Sequence, residues 1–143
     1  MLSELITNET KSVMKKALKR FAKENGVCPS ENQILICGGE DGMPYYKYMK
    51  NYKSEKVISF NEILGVIFDF KSREMLATPF MQKSIMRMSE EKSINPKDIQ
   101  IMIYTPNKDC KEINLFAYSN GKKIKPVTFN WLFKEGIDLK DLV

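Results

Sequence analysis

The chain contains no histidine. That absence removes the commonest general base and several kinds of metal site. Any chemistry must then rest on Asp, Glu, Lys, Tyr or Cys. Cysteine is scarce and scattered, with Cys28, Cys37 and Cys110 far apart and no CxxC pair. Structural zinc takes four N or S ligands, usually in paired spacings, so no metal and no cofactor is expected. An odd number of isolated thiols fits reduced cysteines in a reducing compartment better than a disulfide framework. Long apolar runs are also missing. The longest, Ile63 to Phe68, has six residues, against about 20 needed to cross a bilayer. The first dozen residues carry Glu4 and Glu9 and show no apolar core of a secretory signal. The expectation is a protein without a membrane partner, in the (host) cytoplasm or assembled into a particle.

Arginine is the other scarcity, with three against 20 lysines, in a chain of net charge +5. Lysine supplies mobile point charge, whereas arginine supplies the fork that reads guanine edges. Attraction to nucleic acid would therefore act on the backbone more than on bases. A low-GC genome also enriches Lys, Asn and Ile together, which fits a low-GC bacterial or bacteriophage origin.

What is present is ordinary globular material. At 143 residues, 43% hydrophobic and 29% charged, the chain suits one domain spanning residues 1–143. A domain of this size buries roughly 70% of its unfolded surface, enough for a core without staples. No internal repeat, low-complexity tract or composition break divides it on this reading.

Val13, Met14, Ala17, Leu18 and Phe21 follow helical spacing up to a stop at Asn25-Gly26. Gln33 to Cys37 reads as a strand, Gly38 to Gly42 as a loop, and Tyr45 to Lys50 as the returning strand. Ser59-Phe60-Asn61-Glu62 has capping-box form, with Ile58 and Ile63 placed as a hydrophobic staple for a helix reaching Phe68. Thr78-Pro79 reads as the start of a second central helix carrying Met81, Ile85 and Met88. Ile99, Ile101 and Ile103 alternate as a strand, Ile113, Leu115 and Ala117 repeat the pattern, and Asn120-Gly121 makes a tight turn into Lys122–Phe129. Pro126 suggests an edge or a strand end. Asn130 is placed to cap a short closing helix that ends at Gly136. The predicted fold is α+β: an N-terminal helix, a β-hairpin, two central helices, a three-stranded antiparallel meander and a short C-terminal helix.

Four of the six tyrosines fall between Tyr45 and Lys56. Tyr45, Tyr46, Tyr48 and Tyr52 interleave there with Lys47, Lys50, Lys53 and Lys56. Aromatic faces stack on unpaired bases while lysines neutralise phosphates; the same residues suit a protein interface or an ordinary strand edge. Lys15, Lys16, Lys19 and Arg20 form a basic face on the first helix, and Lys122, Lys123 and Lys125 would extend it if the fold brought them near. Gly38-Gly39-Glu40-Asp41-Gly42 resembles the hairpin signature of diguanylate cyclases, but Gly42 replaces its aromatic, and the segment reads as a tight turn. Asp98, Glu112 and Asn114 resemble the PD-(D/E)xK nuclease pattern, with Asn114 where that pattern has its lysine. The sequence therefore points to a non-enzymatic interaction or structural accessory protein, acting on a protein partner or on copies of itself. A nucleic-acid-binding protein is the alternative, and a magnesium-dependent nuclease the third reading.

Overall fold

The helical pattern around Met14 and Leu18 extends to a 24-residue helix, α1, Leu2–Asn25. Met14, Ala17 and Leu18 are fully buried, while Lys16, Lys19 and Lys23 face outward. The computed structural model describes residues 2–65 and 70–133, with side-chain surroundings from Glu4 to Gly65 and from Ala77 to Phe133. After α1 come β1 (Asn32–Gly38), β2 (Pro44–Lys50), β3 (Lys53–Ile58) and α2 (Phe60–Leu64). Then follow α3 (Phe70–Lys92), β4 (Ile99–Tyr104), β5 (Asn114–Ser119), β6 (Lys122–Val127) and α4 (Phe129–Leu132). The six strands make one antiparallel sheet in the order β3-β2-β1-β4-β5-β6. The fold is α+β, and none of the described helices is long and apolar enough to cross a membrane.

Several details depart from the sequence reading. The predicted hairpin and meander are not separate; β3 adds to the first, and β1 pairs with β4 to join the two. Strand β3 lacked a pattern because it is an edge strand in which only Ile58 is buried. Pro79 lies inside α3 instead of starting a helix. An internal proline costs a backbone hydrogen bond, about 3 kcal/mol. Here Ala77, Phe80 and Met81 are buried around it, and Phe80 packs edge-on to Phe133 at 6.0 Å. The cap of α4 is Thr128, not Asn130. The expected cap at Ser59 is present, with Ser59 Oγ accepting from Glu62 N at 3.1 Å, and Ile58 and Ile63 are both buried in the main core. Its helix nevertheless stops at Leu64, because Gly65 turns left-handed at φ 74° with the Arg20 guanidinium where a Cβ would stand. Residues 66–68 of that predicted helix, and Gly136, lie outside the described residues.

The same order of elements occurs twice, which corrects the expectation of no internal repeat. Each half runs long helix, 3-10 turn opened by proline (Pro29, Pro96), three-stranded meander, capped short helix. Residues 10–37 align with 77–104 without a gap, with eight of 28 positions identical, including Arg20/Arg87, Pro29/Pro96, Gln33/Gln100, Ile34/Ile101 and Ile36/Ile103. Residues 51–64 align with 120–133, including Lys53/Lys122, Phe60/Phe129 and Asn61/Asn130. Bulges fall at matching places, between Tyr48 and Met49 and between Ala117 and Tyr118. The contacts repeat too. Arg20 Nη2 donates to the carbonyls of Glu62 and Ile63, and Arg87 Nη2 donates to that of Trp131, the counterpart of Glu62. At the join, Ile34 faces Ile103 and Ile36 faces Ile101, while Leu35 faces its own counterpart Met102. A pseudo-twofold axis therefore passes between Leu35 and Met102, normal to the sheet.

Helices α1 and α3 cover one side of the sheet. Ile34, Ile36, Tyr46, Tyr48, Ile101, Ile103 and Leu115 point to them and join the main core. Asn32, wholly buried, ties the layers: its Nδ2 donates to the carbonyls of Pro29 (2.8 Å) and Leu18 (3.4 Å), and its Oδ1 accepts from the Tyr48 hydroxyl (3.2 Å).

The two caps occupy equivalent places far apart in the fold, so their losses should add. Ser59→Ala and Thr128→Ala are each expected to cost about 1 kcal/mol, and the double variant the sum of the two, read from urea denaturation midpoints at unchanged m.

Candidate functional site

Alternation along the strands sends every second side chain to the side opposite the helices. There Leu35, Cys37 and Met102 form a second apolar cluster, with Met49, Tyr104 and Tyr118 half-buried against it. All six residues belong to strands, and among the described residues no helix contributes to this cluster. Phe116 lies on the same side, opposite Met102, with its ring 5.4 Å from that of Tyr118. Lysines lie over two rings: Lys123 Nζ is 5.6 Å from the Phe116 centroid and Lys47 Nζ is 5.9 Å from that of Tyr45. The open face is thus an apolar centre ringed by aromatics and amines.

The residues singled out by sequence divide among three places. Tyr46 and Tyr48 are core residues, 4% and 3% exposed, which corrects their assignment to a contact surface. Tyr46 packs on Phe60 and Tyr48 edge-on to Phe21. Tyr45 and Lys47 belong to the open face and Tyr52 is exposed in the β2–β3 turn, whereas Lys50, Lys53 and Lys56 lie on the β2–β3 edge, where Lys56 is 3.9 Å from Glu62. The basic residues of α1 lie in the helix layer on the other side of the molecule. Two of them are structural: Lys15 Nζ donates to the Lys111 carbonyl at 2.9 Å, and Arg20 holds the end of α2. Only Lys16 and Lys19 remain as an exposed pair. The strand order puts Lys122, Lys123 and Lys125 at the opposite edge from the Tyr45–Lys56 segment.

The acidic pair of the nuclease reading does not converge. Asp98 precedes the first residue of β4, and Glu112 lies beyond the far end of that six-residue strand, next to the Tyr104–Asn114 pair. At about 3.3 Å per residue the separation is roughly 20 Å, too far to share one ion. The glycine-rich segment forms a tight turn, Gly39 N donating to the Met43 carbonyl at 2.8 Å.

Sequence reasoning missed Tyr104, Phe116 and Tyr118 as a group, although period-two alternation places all three on the face turned away from Ile101, Ile103, Leu115 and Ala117. It also missed Tyr52 as a strained residue. The β5–β6 turn uses Asn120 and Gly121 at φ 51° and 78°, while the matching β2–β3 turn uses Asn51 and Tyr52 at φ 51° and 64°. A tyrosine thus occupies the left-handed slot that its counterpart fills with glycine. The buried Gln33 side chain secures it, Oε1 accepting from Tyr52 N at 2.9 Å. Tyr52 remains 60% exposed. Burial pushes the Tyr118 phenol above its ordinary range, and the neighbouring Tyr104 and Tyr52 push it the same way. Burial likewise raises the Tyr48 phenol, with Glu55 and Glu24 adding to it. Burial raises the Cys37 thiol against the opposing pull of Lys47.

Comparison with protein families, curated proteins and solved structures finds no match for this chain.

Two outcomes follow from the tyrosines. Raised phenol pKa values mean that the fold favours neutral Tyr48 and Tyr118. Their contribution to stability is full below about pH 10, the unfolded value, and is lost as pH climbs through the folded values. In an alkaline titration followed by phenolate absorbance these two should ionise late, above the ordinary phenol range, and unfolding should accompany that phase. For Tyr52→Gly, relief of the left-handed backbone is worth about 1–2 kcal/mol. Glycine's extra unfolded freedom takes back roughly 0.5–1 kcal/mol, so thermal unfolding should show a net gain.

Proposed function

We propose that this protein is a non-enzymatic recognition domain whose working surface is the open face of the sheet. The observation that carries the reading is the second apolar cluster, built around Leu35, Cys37 and Met102 on the side the helices leave uncovered. The centre of the cluster is itself buried, and what this face presents outward is the half-buried rings of Tyr104, Phe116 and Tyr118 with the exposed ring of Tyr45; completing the burial of such rings is favourable, so they suit a contact site. Tyrosine suits such a surface, combining a large contact area with a polar tip. The strained placement of Tyr52 agrees with this use: a residue held against its backbone preference beside a surface patch is the kind of local cost that functional sites retain. The carboxylates offered by the sequence as a reaction centre stand at opposite ends of β4, so contact chemistry accounts for the arrangement better than bond-making does. The basic face of α1 is a weaker candidate, since Lys15 and Arg20 are already committed to backbone carbonyls.

Hydroxyl-radical footprinting tests the location of the working surface without naming its occupant. The chain in extract of its native source, compared with the purified chain, should show protection at Tyr104, Phe116 and Tyr118, with Tyr46 and Tyr48 unchanged. Protection confined to α1, or protection nowhere, would overturn the proposal.

A further inference from the structure

Resting on the open face as the working surface, we infer that its occupant is an unpaired nucleic-acid strand, stacked on the rings of β4 and β5. The first argument is charge. The six strands carry seven lysines and a single carboxylate, Glu55. That carboxylate sits in the β2–β3 bulge and acts on Tyr48, on the helix-covered side. Lys47 and Lys123 are the charged groups beside the rings of the open face, and no strand acid opposes them. Amines and rings on strands that hold no carboxylate but Glu55 complement a phosphate chain whose bases offer π-faces; lysines neutralise the backbone while rings take the bases.

The second argument comes from the repeat. Tyr104, Phe116 and Tyr118 stand where the first half has Cys37, Lys47 and Met49. The first half builds the same meander with a thiol, an amine and a thioether at these positions, so the strands do not need rings there to fold. Positions that hold the architecture, such as Arg20/Arg87 and Ile36/Ile103, are identical between halves. The aromatic row is therefore an addition to the framework, and it lies on one side of the axis. Tyr52, 60% exposed and held left-handed at the β2–β3 turn, offers a further ring from the other half.

The test uses the full chain and a fluorescently labelled oligothymidylate of about 15 nucleotides, with the matching duplex as control, by anisotropy at low salt. The single strand should bind more tightly than the duplex, and log affinity should fall linearly with log salt. Phe116→Leu and Tyr118→Leu, each checked for folding by thermal unfolding, should weaken binding about 5- to 100-fold. Lys123→Gln should lower the salt slope by about one, while Lys16→Gln with Lys19→Gln on α1 should change neither. Tyr52→Gly should weaken binding while leaving the fold at least as stable, an outcome a purely structural tyrosine would not give. Equal affinity for duplex, or dependence on the α1 lysines instead of the rings, would overturn the inference. Absence of binding at low salt together with a footprint on the open face would also overturn it, leaving a protein as the occupant and the recognition surface intact.

Discussion

The pairing of β1 with β4 is the constraint on which everything else rests. It joins two three-stranded meanders, each with its own long helix and capped short helix, into one continuous sheet. Every residue of β1 is buried, which is why Ile34–Cys37 reads as a continuous apolar run instead of alternating. Ile34 and Ile36 are met across the join by Ile103 and Ile101, so four β-branched side chains form the floor beneath α1 and α3. Such residues suit a pleated, crowded surface. The join is also the most non-local pairing in the sheet, uniting residues nearly 70 positions apart in sequence, whereas within each meander consecutive strands pair.

From that join the two sides of the sheet acquire different characters. Toward the helices the core is aliphatic and aromatic, stitched by buried polar side chains such as Asn32 and Ser84. The other side gathers smaller apolar groups at the centre and rings and amines around them. Charge is uneven too: the six strands hold seven lysines against one carboxylate, Glu55. Among the described residues, the helices dress one side of the sheet only.

Much of the fold was legible in the residues, and what was not has identifiable causes. Isoleucine alternation at 99–103, the Asn120-Gly121 turn and the Ser59 cap each carry a local signal, and each sits where that signal puts it. Strand β3 carries none, because an edge strand facing water obeys hydrogen bonding more than hydropathy. Pro79 was misleading because tertiary burial of Phe80 and Met81 outweighs a local helix-breaking preference. The repeat was present as Pro-x-acid-x-Gln-Ile-x-Ile at both Pro29 and Pro96, and only a comparison of the chain with itself exposes it. As for the candidate site, tyrosine density drew attention to β2 but could not say which rings face inward. The row on β4 and β5 is spread over two strands and becomes a group only when they pair.

The covalent link between the two meanders has a consequence of its own. Had the same sheet been assembled from two identical chains, every replacement on one flank of the axis would reappear on the other, and assembly would depend on protomer concentration. One polypeptide frees the molecule from both conditions. Its central pairing is an intramolecular event governed by effective concentration, and each flank can be altered alone. Asymmetry of the kind seen between Met49 and Tyr118, or between Tyr52 and Gly121, is thus available to a fused pair and closed to a symmetric dimer.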